Sequence, residues 1–168
     1  MDVSMAENSM NKESGSFTIH HALAYEVPLV RQGYDSTCSA ASLKMVLDWL
    51  GVRNPGRMKM YRQMRQECCG GGNGVLDSGT VANYARRKGV SARRGRTTLS
   101  GLRGMVNGFS GTPIIVSVAH RNGGSHSIVV QKVTWRDVII NDPLYGKPYK
   151  ESHRKFSNRW SGKYLQIW

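Results

Sequence analysis

The first half of the chain repeats apolar residues at helical spacing, and the second half places them in short continuous runs. Apolar positions from Leu43 to Leu50 follow the 3.6-residue period and predict a helix over 36–50, which Gly51 ends. Further helices are predicted over 55–67, 78–88 and 102–106, and strands over 114–119, 127–133, 138–141 and 164–168. Helices followed by an antiparallel sheet are typical of an α+β fold, so we predict a helical lobe at 28–108, a sheet lobe at 112–168 and a cleft between them.

Residue types at the helix ends predict where the helices start. Asp35, Ser36 and Thr37 each offer a side-chain oxygen that can cap the first helix, and Thr98 can cap the fourth. The first turn of the first helix therefore contains Cys38.

The N-terminal residues show no periodic pattern. Residues 1–22 are rich in Ser, Asn, Glu, Gly and Met, and we expect a disordered tail or linker there, followed by one domain over 23–168. Residues 1–16 lack the basic start and apolar core of a signal peptide. No apolar run approaches the roughly 20 residues of a membrane helix, so we expect no membrane insertion. We expect a cytoplasmic site of action, reached in another cell only through a specialised secretion system.

The chain is strongly basic. It has 24 Lys and Arg against 11 Asp and Glu, a net charge of +13, and a local net charge of +10 lies between Arg53 and Arg103. Such a field attracts anionic partners. The basic residues of 86–96 are predicted on a helix face and in a loop, where they can be solvated, bind phosphates or dock an acidic protein. No zinc-finger or RNA-recognition signature accompanies them, so nucleic acid binding ranks below catalysis.

Three cysteines are present, and two of them, Cys68 and Cys69, are adjacent. We expect no disulfide between these neighbours, because the ring would strain the peptide that joins them, and we expect a reducing compartment. Adjacent cysteines are also poor ligands of one zinc tetrahedron, even with His120 or His153 nearby. The sequence therefore predicts no metal site.

The third cysteine has the setting of a nucleophile. At the first turn of a helix, Cys38 faces unpaired backbone N–H groups and the positive end of the helix dipole, which favour the reactive thiolate. Gln32 stands six residues earlier, and its amide can donate a hydrogen bond to an oxyanion together with the backbone N–H of Cys38.

A thiolate nucleophile needs a base, and the base needs an orienting group. His126 follows a Gly-Gly-Ser turn and begins an apolar strand, while Asp142 ends the next predicted strand. Neighbouring antiparallel strands can bring the Asp142 carboxylate to the His126 ring. We therefore predict Cys38 as nucleophile, His126 as base, Asp142 as orienting group and Gln32 as oxyanion donor.

Three stretches carry a resemblance to a known family: VPLVRQGYDSTCSAASL at 27–43, GSHSIVV at 124–130 and VIINDP at 138–143. Over about 25–168 the chain resembles the papain-like cysteine peptidases, specifically the double-glycine leader peptidase domains of bacterial peptide-exporting transporters. The resemblance implies a papain-like two-lobe fold, cleavage after Gly-Gly through a narrow groove, and no metal or other cofactor. It places Gln32, Cys38, His126 and Asp142 in the family's oxyanion, nucleophile, base and orienting roles.

The sequence departs from these leader peptidases in having Thr37 and Ser39 around the nucleophile and in its Arg-rich stretch. As a free-standing, basic papain-like domain without a signal peptide, the chain more closely resembles toxin domains of bacterial antagonism systems, which are delivered into a neighbouring cell and are held off by a cognate immunity protein. On this reading the partners are a protein substrate and an immunity protein that is acidic.

Two alternatives stay open. A Cys–His–Asp site can also deamidate Gln or transfer acyl groups, because all three reactions pass through a thioester. The chain can instead be a basic nucleic-acid-binding module without catalysis.

Overall fold

A six-stranded antiparallel sheet lies at the centre of the computed structural model, which describes residues 26–33, 35–72, 74–109 and 111–168. The tail predicted at 1–22 lies outside the described residues. The helices are α1 (Cys38–Trp49), α2 (Arg57–Cys69), α3 (Ser78–Arg87), α4 (Leu99–Asn107) and α5 (His153–Arg159). The strands are β1 (Ala92–Arg96), β2 (Ile114–Ala119), β3 (Ser125–Val133), β4 (Asp137–Asn141), β5 (Tyr149–Ser152) and β6 (Trp160–Ile167), in the order β1-β6-β2-β3-β4-β5. The predicted α+β class is confirmed.

Alternation along the strands divides the core between the two faces of the sheet. Ile115, Val129 and Leu165 belong to a cluster with the apolar residues of α1, α2 and α3. Neighbouring positions such as Ile114 and Ile128 belong to a second cluster with α4 and α5. Because the side-chain period of a strand is two, each central strand supplies both cores. The sheet is therefore covered by helices on both faces.

The sheet is larger than the sequence predicts. β1 was expected as loop, yet it pairs with β6 from Ala92–Ile167 to Arg96–Lys163. β5 and α5 were missed, and β6 begins at Trp160 rather than at 164. The β1 sequence, Ala-Arg-Arg-Gly-Arg, has no apolar alternation, because this edge strand is mostly exposed. One strand of the sheet thus comes from the half that was assigned to the helical lobe.

The start of α1 differs in detail from the prediction. A single 3-10 turn over Asp35–Thr37 precedes the helix, and Thr37 makes no side-chain cap hydrogen bond to it. The Thr37 hydroxyl instead accepts a hydrogen bond from the Gly33 N–H at 3.0 Å. This bond ties the Gln32–Gly33 segment to the beginning of α1. The predicted Thr98 cap is present, because its hydroxyl accepts from the Gly101 N–H.

Two buried amides hold the N-terminal segment against the sheet. Asn141 Nδ2 donates to the Val27 carbonyl at 2.7 Å, and the Val27 N–H donates to Gln131 Oε1 at 3.3 Å. Gln131 Nε2 donates to Asn141 Oδ1 at 2.5 Å. Further along, the Gln32 N–H donates to the Pro143 carbonyl at 2.9 Å. Side chains of β3 and β4 therefore hold this segment at Val27, and the backbone of Pro143 holds it at Gln32.

Cys68 and Cys69 form a disulfide at the end of α2. The expectation that these two thiols stay unpaired was wrong. The disulfide leaves Cys38 as the free cysteine. The pair is exposed, and the helix ends next to it at Gly70, whose φ of 66° is the left-handed conformation that glycine adopts readily. Within the described residues, no helix combines the length and apolar character that crossing a membrane requires.

Candidate active site

Cys38 is the first residue of α1 and is only 2% exposed. Its thiol lies within hydrogen-bond reach of the His126 ring and of the Ser127 backbone. Burial by itself would raise the pKa of the thiol, but these hydrogen bonds and the positive charge of His126 outweigh it and hold the pKa below 9.0. Two further contacts fix α1 on β3: the Ser39 and Ser127 hydroxyls are 2.9 Å apart, and Ser42 Oγ donates to the Ser127 carbonyl.

His126 is the second residue of β3 and pairs with Val118 of β2. Its Nε2 lies 2.6 Å from Asp142 Oδ1, so Nδ1 is the nitrogen left for the thiol. Burial alone would lower the pKa of the imidazole. The hydrogen bonds and charges of Asp142 and Cys38 prevail and raise the pKa to about 9. The imidazole is therefore protonated at neutral pH, and the lowered pKa of the thiol favours a thiolate beside it.

Asp142 directly follows β4 and is 2% exposed. Besides His126, its Oδ1 accepts a hydrogen bond from the Leu144 N–H at 2.9 Å, and its Oδ2 accepts one from the Tyr149 hydroxyl at 3.3 Å. Burial would raise the pKa of the carboxyl, yet the His126 and backbone hydrogen bonds lower it below 3.8. Asp142 is thus ionised, and its two oxygens are held by three separate groups.

Tyr149 and Arg159 extend this line of hydrogen bonds and were missed in the sequence. Arg159 donates from its guanidinium to the Tyr149 hydroxyl at 2.8 Å and is ion-paired with Glu151. Burial raises the pKa of Tyr149, so the phenol keeps the proton that it donates to Asp142. Both residues belong to β5 and α5, which have no apolar period, so only the proximity of Tyr149 to Asp142 in the chain was available as a signal.

Gln32 lies beside the site on the segment that is anchored to Pro143. Its side chain is half-buried, and within the described part of the chain its Oε1 is buried without a hydrogen-bond partner. A buried amide without a protein partner is costly unless water or a ligand satisfies it. The structure thus brings Cys38, His126 and Asp142 into one line. Gln32 is held by its backbone bond to Pro143, the neighbour of Asp142 along the chain, and its Oε1, an acceptor, is the atom that lacks a partner.

Two cavities flank the line. One, of about 250 Å³, lies on the α1 side between Ser39, Ser127 and Leu76. The other, of about 480 Å³, contains His126 and Asp142 in its wall. The His120 ring continues that wall, with its centroid 5.5 Å from that of His126 in an edge-to-face arrangement.

The α+β fold, with a thiol at the start of α1 aligned with an imidazole and a carboxylate at the ends of β3 and β4, defines the class of the protein, which is a cysteine protease. The model of the Peptidase C39 family matches residues 26–168, and the chain belongs to that family. No curated protein matches the chain. Among the residues that the structure describes, no three His, Cys, Asp or Glu side chains are grouped so as to hold a metal ion.

Solved structures share the fold. The crystal structure of a double glycine motif protease from an AMS/PCAT transporter, in complex with the leader peptide, is 25% identical with a TM-score of 0.68 and covers 85% of this chain and 91% of that chain. The peptidase domain of Streptococcus ComA, described as a bi-functional ABC transporter, is 22% identical with a TM-score of 0.70, covering 84% and 98%. A C39-like peptidase from Bacillus anthracis is 19% identical with a TM-score of 0.67, covering 87% and 96%.

Proposed function

We propose that the protein is a thiol-dependent endopeptidase that cuts a protein substrate after Gly-Gly. The observation that carries this proposal is the buried line from Cys38 through His126 to Asp142, with the pKa of the thiol lowered and that of the imidazole raised to about 9. These shifts favour a thiolate, which is a nucleophile, next to an imidazolium, which is a proton donor, and acyl transfer needs both.

The chemistry follows from these positions. The Cys38 thiolate attacks the scissile carbonyl carbon and forms the C–S bond, while the Cys38 N–H and the Gln32 amide hold the oxyanion. As the C–N bond breaks, the His126 imidazolium gives its proton to the leaving amine. Neutral His126 then takes a proton from water, whose oxygen attacks the thioester and releases the acid product and the thiolate. Asp142 keeps the ring oriented through both steps.

The preference for glycine is supported by burial. Cys38 is 2% exposed and His126 is 4% exposed, so a substrate backbone reaches the thiol only through a narrow opening. Residues without a Cβ pass such an opening most easily. A similar solved structure, the transporter protease crystallised with a leader peptide, is described as a double glycine motif protease.

The decisive experiment compares the N-termini created in a bacterial lysate by the wild type and by Cys38→Ala. We expect new N-termini after Gly-Gly only with the wild type. Mass spectrometry of the same samples tests the alternatives: a shift of about one dalton without chain cleavage indicates deamidation, and a mass gain from a joined acyl group indicates acyl transfer. The absence of any new N-terminus that depends on Cys38 overturns the proposal.

We propose further that the peptidase acts as an antagonistic effector whose inhibitor is an acidic immunity protein. The exposed edge strand β1 supports this: it carries Arg93, Arg94 and Arg96, none of which is in a salt bridge within the described residues. Expression in a bacterial cytoplasm is expected to stop growth for the wild type and not for Cys38→Ala. Equal growth of both strains overturns the effector role and leaves the peptidase proposal to its own test.

A further inference from the structure

The cavity of about 480 Å³ lies on one side of the line formed by Cys38, His126 and Asp142. His126 and Asp142 form part of its wall, whereas Cys38 does not. The β2–β3 turn supplies His120 and Arg121 to it, and the loop between β4 and β5 supplies residues 144–147. Its volume of about 480 Å³ is within the range of ligand-binding pockets.

The direction of the reaction decides which part of a substrate meets this cavity. In the proposed mechanism the acyl half stays on Cys38, with its oxygen at the start of α1, and the amine leaves past the His126 ring, which protonates it. The chain that follows the scissile bond therefore continues on the His126 side. Residues after the cut are the ones that reach the cavity.

The charges in the cavity wall do not cancel. Asp142 is paired with His126, and Glu151 is paired with Arg159. Arg121 and Lys147, one on each of the two loops, are exposed and make no ion pair among the residues that the structure describes. The wall thus presents two unneutralised cations where the leaving half of the substrate passes. Coulomb attraction favours carboxylates in that half.

We propose that this cavity is a binding site for acidic residues that follow the scissile bond, with Arg121 and Lys147 as its specificity-determining residues. The inference rests on the proposed peptidase function and names its substrate class: a Gly-Gly sequence followed within a few residues by Asp or Glu. Both cations are exposed, so each contributes modestly, and we expect an acidic continuation to raise kcat/KM about three- to tenfold over a basic one.

The test uses two peptides that are identical through Gly-Gly and continue as Ala-Glu-Glu-Glu or Ala-Lys-Lys-Lys. The wild type is expected to cut the acidic peptide faster, with an advantage that shrinks as salt is added. The double variant Arg121→Glu, Lys147→Glu is expected to reverse the preference. The control variant Arg154→Glu, Lys155→Glu makes the same change of net charge on exposed residues of α5 outside the cavity wall, and it is expected to keep the wild-type preference.

The outcomes separate the two proposals. Equal cleavage of both peptides, or the same loss of preference in both double variants, overturns the acidic site while the peptidase stands. If neither peptide is cut, the proposal of cleavage after Gly-Gly fails. The acidic site is then tested separately, by measuring how tightly the Cys38→Ala protein binds each peptide in fluorescence anisotropy. Tighter binding of the acidic peptide that is lost only with Arg121→Glu, Lys147→Glu supports it, and equal binding overturns it.

Discussion

At the scale of single residues, the site depends on three ionisable groups that shift one another's pKa. Cys38, His126 and Asp142 are each nearly inaccessible to water, and burial by itself favours the neutral form of each. The charged form of each is favoured by hydrogen bonds and by the opposite charge of its neighbour in the line. The line therefore behaves as a coupled unit, and removal of one member changes the titration of the others.

The pH dependence of cleavage follows from these shifts. Activity is expected to rise as Cys38 loses its proton, with a midpoint below 9.0, and to fall as His126 loses its proton near pH 9. The sign follows from the raised pKa: the imidazolium persists well above 6.5, and deprotonation removes the acid that protonates the leaving amine. The measurement is kcat/KM against pH, and Asp142→Asn is expected to move the alkaline limb to lower pH. An alkaline limb at pH 6.5 in the wild type would contradict the assignment.

Tyr149→Phe tests the hydrogen bond behind the site. The change removes one of three donors to Asp142, so the carboxylate itself is positioned less firmly. We expect kcat/KM to fall about tenfold, or about 1.4 kcal/mol, because the ring is oriented less firmly, and the alkaline limb to move to higher pH, because a carboxylate with one donor fewer holds the His126 proton more strongly. Tyr145→Phe is the matched control, because the Tyr145 ring packs on Tyr149 without touching Asp142 through its hydroxyl. If Tyr149→Phe lowers stability but leaves the pH profile of kcat/KM unchanged, Tyr149 has only a structural role.

The sequence indicates the three side chains that meet in the line better than the residues that support them. Cys38, His126 and Asp142 each stand at the end of an element with a clear apolar pattern, so topology alone indicates that they meet. Tyr149 and Arg159 support Asp142 from a short strand and a short helix that are largely polar. Their role depends on how β5 and α5 fold back on β4, and no local pattern in the chain encodes that.

At the scale of elements, helix starts are fixed by different devices. α1 begins after a 3-10 turn whose Thr37 hydroxyl bonds backward to Gly33. The α3 helix has an ordinary cap, because Asp77 accepts hydrogen bonds from the N–H groups of Gly79 and Thr80 and from the Thr80 hydroxyl. These bonds, led by that of the Thr80 hydroxyl, lower the pKa of Asp77. The start of α3 is thus fixed by the Asp77 cap. The start of α1 is fixed by the bond from Gly33 to Thr37.

Asp77→Ala is expected to destabilise the fold by about 1 kcal/mol, because the first turn of α3 loses its acceptor. The measurement is the urea midpoint at constant m-value. Asp77→Asn keeps an acceptor oxygen and is expected to retain most of the stability. A midpoint for Asp77→Ala equal to that of the wild type would show that the helix start does not need this cap.

The elements also show where periodicity fails as a guide. The strand predicted at 114–119 matches β2 at both ends, because the central strand is apolar on both faces. The edge strands β1 and β5 are mostly solvent-facing and were not predicted. Backbone pairing with β6 and β4 sets their positions. Such pairing does not require a particular pattern of apolar side chains, so the sequence does not reveal it.

At the scale of the whole molecule, residues 27–32 link the two ends of the active site. The segment is held by Asn141 and Gln131 at one end and by the Pro143 carbonyl at the other. Asn141 is fully buried next to Asp142, so two consecutive residues at the end of β4 contact the imidazole and anchor the segment that leads to Gln32.

Asn141→Ala is expected to loosen this link. The change leaves the Val27 carbonyl and Gln131 Nε2 buried without partners, at a cost of about 2–3 kcal/mol. We expect faster amide hydrogen exchange over 27–32 and a lower kcat. Asn158→Ala, on the exposed surface of α5, is the control and is expected to change neither. Unchanged exchange over 27–32 in Asn141→Ala would mean that the segment is held by other contacts.

The three members of the catalytic line stand at positions 38, 126 and 142, on elements that meet only after α1 has packed on β3 and β4 has joined the sheet. An unfolded chain therefore has the three side chains but no site, and hydrolytic activity is expected to return on refolding only when the sheet and α1 have come together.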